Sequence, residues 1–199
     1  SHHADTGAHI PTTMDAHMRT VYEEGMHIPV VRFQETFKDK EDVIRWCRQN
    51  IRESHIWYGD YQAQVGATRT AEKRLHELGA RYGREVLTEF INAWMEYGRR
   101  RASAAIAQVP AGTFSWTVSH DPVPGVAENG VEITAKVIIE PNAGKITVDL
   151  RDNPDCVAGG INLSEACATG AGRIGVFYNL DPSLPHNAGS ASCIEVLLR

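Results

Sequence analysis

The stretch VEITAKVIIEPNAGKITVDLRD, Val131 to Asp152, contains two runs rich in Val, Ile and Thr on either side of Pro-Asn-Ala-Gly. β-branched residues favour strands, and a short loop containing glycine joins antiparallel ones. The stretch therefore predicts a hairpin of 131–140 and 145–152 turning at 141–144. Just upstream, GTFSWTVSH (112–120) alternates over Phe114, Trp116 and Val118, as a half-buried strand does. Downstream, GGINLSEACATGAGRIGVFYNL (159–180) reads as a turn entering a helix, with Ser164 as N-cap. Its Ala166, Ala168, Gly170, Ala171 and Gly172 would let another backbone come close. LDPSLPHNAGS (180–190) is a turn-rich loop, and CIEVLLR (193–199) a final strand.

Helices precede this β-rich part. KEDVIRWCRQN (40–50) places Val43, Ile44 and Cys47 on one face. From Asp60 to Tyr82, the residues Tyr61, Val65, Thr68, Leu75, Leu78 and Tyr82 recur at helical steps. Gly83 marks a stop or sharp turn. A further helix runs from Arg84 to Ile106, with Leu87, Phe90, Ile91, Trp94, Tyr97 and Ile106 on its apolar side. Arg99, Arg100 and Arg101 suit its C-terminal dipole. The two long helices predict a helical hairpin. The first 37 residues read as loops, with IPVVRF (28–33) a possible short strand. The expected class is α+β, with a mainly antiparallel sheet and three regions: 1–37, 38–109 and 110–199.

Of the 199 residues, 42% are hydrophobic and 23% charged, and the formal charge is −5. That balance offers no basic footprint for nucleic acid or an anionic membrane surface. No apolar run approaches the roughly 20 residues of a transmembrane helix. Cys47, Cys156, Cys167 and Cys193 lack CxxC spacing and are expected to be reduced thiols in a cytoplasmic protein. The His-rich start and the strand-like end predict a part of something longer.

SHHADTGAHIP (1–11) holds three histidines and a carboxylate within nine residues. His2 and Asp5, two residues apart, offer an imidazole nitrogen and a carboxylate oxygen at small entropic cost. A third donor would complete a site for Zn, Mn or Fe(II) that keeps a position open for reactants. His27, in YEEGMHIP, is the candidate; His3, His9 and His17 are rivals. Glu23 and Glu24 stand close to His27 as candidate base or ligand-orienting groups, or as a solvated acidic pair. Asp60 and Gln64 share a helical face, although Asp60 also suits an N-cap. Arg151, Asp152 and Asn153 read more readily as a turn than as substrate contacts, and His186 as a loop residue.

SHHADTGAHIP, EEGMHIPVVRF, GDYQAQVGATRTAEKRLHELGARYG, DLRDNPDCVAGGINLSEA and LPHNAGS occur in that order. The series resembles the hydantoinase B/5-oxoprolinase family over nearly the whole chain. Its relatives include N-methylhydantoinase, caprolactamase and the α-type subunits of acetone and acetophenone carboxylases. There are departures: Ala8 follows Gly7 where the family often has a second glycine, and His27 occupies a position that is frequently Arg. The histidine looks like a metal-binding branch that includes the carboxylases, and DLRDNPDC leans away from plain 5-oxoprolinases.

The resemblance implies a B-type subunit bearing His2, Asp5 and His27 as metal ligands; Glu24 and Asp60 are the catalytic candidates among the acidic residues read above. Its partner would be an A-type subunit of actin-like ATPase fold that binds ATP and Mg, alongside other segments of the same B-type chain. The implied reaction is hydrolysis of a small cyclic amide (hydantoin, 5-oxoproline or lactam), metal-bound water attacking the ATP-activated amide. A ketone carboxylase subunit and a non-catalytic structural subunit are the alternatives.

Overall fold

The computed structural model describes residues 3–9 and 15–199. They form two compact units, one of residues up to Leu78 together with Ala158–Ile161, the other of Gly79–Val157 and Asn162–Arg199. No helix in the described residues is long and apolar enough to cross a membrane.

The first unit contains α1 (Val21–Glu24), β1 (Gln34–Glu35), β2 (Lys38–Asp39), α2 (Glu41–Asn50) and most of α3 (Ser54–Tyr82). Glu41 and Asp42 open α2 where the helix dipole favours negative charge. The apolar face of α2 buries Ile44 and Cys47 against Ile51, Trp57 and Tyr61. Met26, Ile28, Phe33, Val43, Tyr58 and Val65 complete that core. The predicted strand over 28–33 does not form. Pro29 supplies no ladder donor, so Ile28 and Phe33 reach the core from irregular backbone while Val30 and Val31 stay exposed.

β1 and β2 instead make a hairpin whose two turn residues, Thr36 and Phe37, both have positive φ (49° and 64°). Such turns normally take Asn or Gly. Asp39 braces this one. Its Oδ1 accepts from Gln34 Nε2 (2.6 Å) and Tyr61 Oη (2.8 Å), and its Oδ2 from Tyr58 Oη (2.7 Å). These three donors hold the Asp39 carboxyl below the usual carboxylate range. Burial, seconded by Asp39, pushes the Tyr61 phenol up to about 12. Tyr61→Phe keeps the ring and deletes one charge-assisted bond. It should lower stability by about 2 kcal/mol, read by denaturant unfolding.

The second unit contains α4 (Arg84–Ile106), β3 (Gly112–His120), β4 (Val131–Glu140), β5 (Lys145–Asp149), α5 (Glu165–Leu180), α6 (Ala188–Ala191) and β6 (Ile194–Leu197). The hairpin of β4 and β5 forms as predicted, through a 3-10 turn at Pro141–Ala143 and Gly144 at φ 62°. The sheet order is β3-β4-β5-β6. β3 to β5 pair antiparallel, but β6 lies parallel to β5, because α5 carries the chain across between them. Ser164 caps α5 as expected, accepting from Cys167 N–H at 3.3 Å. At Gly172 an added Cβ would lie 3.0 Å from Val196, so the small residue does permit close packing there. Gly170 and Gly175 face open space.

Ala102, Ile106, Ile146, Val148, Phe177, Leu184, Cys193 and Ile194 form the core of this unit. Within this unit α4 packs on α6, β5 and the 3-10 turn through Gly98, Ala102 and Ile106, while Phe90, Ile91 and Trp94 of its predicted apolar side stay exposed. The alternation in β3 also misleads: Phe114, Trp116 and Val118 are 54%, 76% and 53% exposed. They share the sheet face of Val137, Ala135 and Ile133 by register, but β3 is an edge strand, and the buried core residues of this face are Ile146 and Val148 on β5 and Ile194 on β6.

Residues 151–153 turn the chain. Asn153 closes the turn, its Oδ1 accepting from Thr134 N–H (2.7 Å) and its Nδ2 donating to Thr134 O and Leu150 O. Arg151 grips Asp149 through Nε (2.9 Å) and Nη2 (2.7 Å). That grip holds the Asp149 carboxyl far below its ordinary value. A depressed carboxylate stabilises the fold above its unfolded value of about 3.9, and the contribution is lost as pH falls through the folded value. Arg151→Ala should therefore move the acid-unfolding midpoint, followed by circular dichroism, to higher pH.

The cysteines are free thiols, Cys47 and Cys193 buried, Cys156 and Cys167 exposed. His186 stacks on Phe177 with centroids 4.6 Å apart, so this loop histidine packs on the core.

Candidate functional site

The N-terminal loop and the loop around His27 meet through backbone bonds. Met26 N–H donates to Thr6 O (2.8 Å) and His9 N–H to Glu23 O (3.0 Å), while Thr6 Oγ1 donates to Glu24 O (3.2 Å). Gly25, at φ 154°, makes this approach possible: a Cβ there would fall 2.7 Å from Thr6 Oγ1. The two stretches singled out as ligand-bearing are thus neighbours in space.

Asp5 is buried and sits at the start of α3. Its Oδ2 accepts from Glu53 N–H (3.1 Å), its Oδ1 from Gly7 N–H (2.8 Å), and Arg52 Nε lies 3.8 Å from Oδ2. Burial is the largest single influence and would raise its pKa. The N–H donors of Gly7 and Glu53 and the charge of Arg52 together outweigh it, and the carboxyl titrates below its ordinary value. The positive end of a helix running from Ser54 to Tyr82 acts in the same sense. Arg52 also donates to Ala8 O (2.8 Å), tying the loop down a second time.

His27 is exposed, and its Nε2 lies 2.8 Å from Val21 O. A carbonyl can only accept, so Nε2 carries the proton and Nδ1 keeps the lone pair of the neutral ring. A metal-ligating histidine characteristically spends its second ring nitrogen this way. His3 lies against α3. Its Nε2 is 2.5 Å from Gln64 Nε2, and its Nδ1 is 3.7 Å from Asp60 Oδ2.

The remaining candidates serve other ends. Glu23 accepts from Arg19 N–H (2.6 Å) and Thr20 N–H (3.1 Å), which caps α1 and lowers its pKa. Glu24 is exposed at the end of α1. His17 pairs with Asp15 at 3.0 Å, and His9 is exposed. Asp60 is not an N-cap, since α3 begins six residues earlier at Ser54. Its Oδ2 accepts Ala4 N–H at 3.2 Å. The role of Glu53 N–H as an anchor for Asp5 was invisible in the sequence. Only a helix start at Ser54, rather than Asp60, could have pointed to it.

Among the described residues no group of three His, Cys, Asp or Glu side chains is gathered to hold a metal ion. His2, the remaining member of the expected set, lies outside the described residues. The donor chemistry of the other two fits a divalent cation. Asp5 stays ionised with lone pairs to spare on both oxygens, and His27 keeps an unshared pair on Nδ1.

A family model described as hydantoinase B/oxoprolinase matches residues 1–199. The caprolactamase subunit beta of Pseudomonas jessenii is 28% identical over 196 residues, covering 98% of this chain and 33% of that one. The crystal structure of the ATP-dependent caprolactamase from Pseudomonas jessenii superposes with a TM-score of 0.87, over the same shares of the two chains. The acetophenone carboxylase delta subunit of Aromatoleum aromaticum is 25% identical over 195 residues, covering 98% and 28%. A nucleotide-free acetone carboxylase, 21% identical, shares the fold with a TM-score of 0.84 over 98% of this chain and 27% of that one. The chain spans about a third of the length of the curated relatives it matches.

Proposed function

Because the chain belongs to the hydantoinase B/oxoprolinase family, we propose that it is part of the B-type subunit of an ATP-dependent, metal-dependent cyclic-amide hydrolase. The caprolactamase relative supports the substrate class. One observation carries the proposal: Asp5 is held ionised at the N-terminus of α3, beside a loop whose His27 is fixed with a lone pair on Nδ1.

His2, Asp5 and His27 would hold the cation. When bound, a divalent ion supplies Lewis acidity, polarising a reacting oxygen and making water more acidic. The residues of this chain set the stage for it. Val21 O keeps the His27 proton on Nε2, and Glu53 N–H and Gly7 N–H keep both Asp5 oxygens oriented. Glu24 stands at the rim as a candidate proton acceptor, exposed and close in sequence to His27. Lactam and hydantoin amides resist attack because resonance stabilises the C–N bond. Phosphorylation of the amide oxygen by ATP on an A-type, actin-like partner would make the amide carbon a better electrophile. Water would add to it, the protonated ring nitrogen would leave to open the ring, and the acyl phosphate so formed would be hydrolysed to carboxylate and phosphate, dividing one high barrier into smaller ones.

A second reading, an ATP-dependent ketone carboxylase subunit, is favoured by the acetophenone carboxylase relative and by the histidine at position 27. One experiment separates the two. The reconstituted complex, given ATP, is screened for phosphate release with hydantoins and lactams and with ketones, with and without bicarbonate. Release with cyclic amides and no bicarbonate supports the hydrolase. A strict bicarbonate requirement with ketones supports the carboxylase, and no substrate-stimulated release with either overturns both.

A further inference from the structure

The loop of residues 3–7 is read by one face of α3. Its anchors are Glu53 N–H on Asp5, Asp60 Oδ2 on Ala4 N–H and Gln64 on His3. Positions 53, 60 and 64 are separated by seven and four residues, which brings all three to nearly the same angle about the helix axis. These three anchors thus come from one rigid stretch of chain, while Met26 N–H holds Thr6 O from the other side.

Gln64 also decides the state of the His3 ring. An amide nitrogen only donates, so His3 Nε2 must accept and the proton of the neutral ring sits on Nδ1. That Nδ1 is buried and has no hydrogen-bond partner among the described residues. Asp60 Oδ2, 3.7 Å away, is just beyond hydrogen-bonding reach and already holds Ala4 N–H. A buried N–H facing a carboxylate across such a gap lines up donor and acceptor in one sequence: Gln64 to His3, and His3 and Ala4 both towards Asp60.

We propose that Gln64 and Asp60 are positioning residues for the cation site. Gln64 selects the His3 tautomer, and Asp60 gathers the loop by its Ala4 N–H. Together they hold Ala4 and Asp5 in register beside the loop that carries His27. This rests on the functional reading above, since it needs a cation at that site. Neither residue donates to the metal itself, so the effect of losing either passes through loop geometry.

The test uses Co2+ as a spectroscopic probe on the full-length B-type chain in its complex. Wild type, Gln64→Met, Gln64→Glu, Asp60→Ala, Asp60→Asn and His27→Ala are compared. Wild type should show the visible ligand-field bands of bound Co2+. Gln64→Met, similar in size but without the donor, should weaken Co2+ binding about 10- to 100-fold, the usual scale for groups that orient ligands. Its melting temperature should stay within a degree or two of wild type. Gln64→Glu, which offers an acceptor in place of a donor, should weaken binding at least as much and shift the bands. Asp60→Asn, which still accepts from Ala4 N–H, should restore part of the affinity lost in Asp60→Ala.

The proposal is overturned if both Gln64 variants bind Co2+ within twofold of wild type while His27→Ala does not bind, and the metal reading then survives. It is also overturned if affinity falls only in step with melting temperature. If Gln64→Met fails to fold, Gln64→Glu decides. A wild-type complex that takes up no Co2+ overturns the metal reading and this inference with it, and the blank wild-type spectrum identifies that case.

Discussion

His27→Ala is expected to lower the affinity of the complex for divalent metal by about a hundredfold or more and to abolish ATP-dependent turnover. The effect should exceed that of losing an orienting group, typically 10- to 100-fold, because a donor itself is removed. The fold should tolerate the change. His27 is exposed, its contacts being one bond to Val21 O and a tilted approach to Tyr22 at 5.7 Å. The junction of the two loops runs instead through Met26 N–H and His9 N–H, which the substitution leaves alone. The complex should therefore assemble and melt as wild type does. Metal analysis of purified complex and phosphate release with the best substrate make the check. Full turnover with stoichiometric metal in the variant would remove His27 from the ligand set.

Gly189→Ala is expected to cost about 3 kcal/mol or more, the upper end for overpacking. α6 lies against α4 so closely that a Cβ on Gly189 would stand 1.8 Å from Met95 O and 2.6 Å from its carbonyl carbon. Those atoms are helix backbone, which cannot turn aside as a side chain can. The same contact is tight from the other side, where a Cβ on Gly98 would stand 2.3 Å from Asn187 Oδ1. Asn187 is itself committed, capping α6 through Ser190 N–H (3.0 Å) and donating to Trp94 O (3.0 Å). The added methyl group must therefore separate α6 from α4 and disturb the core around Ala102 and Ile106. Denaturant unfolding of the full chain measures the loss. A change below 1 kcal/mol would show that α6 can slide without penalty.

Local chemistry carried much of the reading. The 131–152 hairpin, the Ser164 cap and the turn at 151–153 follow from β-branched runs, a hydroxyl before an acidic first turn, and an Asn that bonds its own neighbourhood. These depend on residues a few positions apart, and their energies are settled before distant parts of the chain arrive. The family likeness was legible for a similar reason, since ordered motifs survive in a one-dimensional record.

What failed was whatever depended on which face is covered. Alternation in β3 marks an apolar face, but burial needs a second layer, and Trp116 on an edge strand remains largely exposed. Helical periodicity marked an apolar side on α4, yet packing on α6, β5 and the 3-10 turn buries Gly98, Ala102 and Ile106 and leaves Phe90, Ile91 and Trp94 exposed. At the site, the motif named Asp5 and His27 as donors from their chemistry alone. That Asp5 lies at the start of α3 and that Asp60 and Gln64 grip the loop are long-range facts, and the bond of His27 to Val21 O, though only six residues apart, depends on how the folded loop places them. The physical reason is common to all of them: composition and spacing determine what a side chain can do, and only the folded chain determines what stands opposite it.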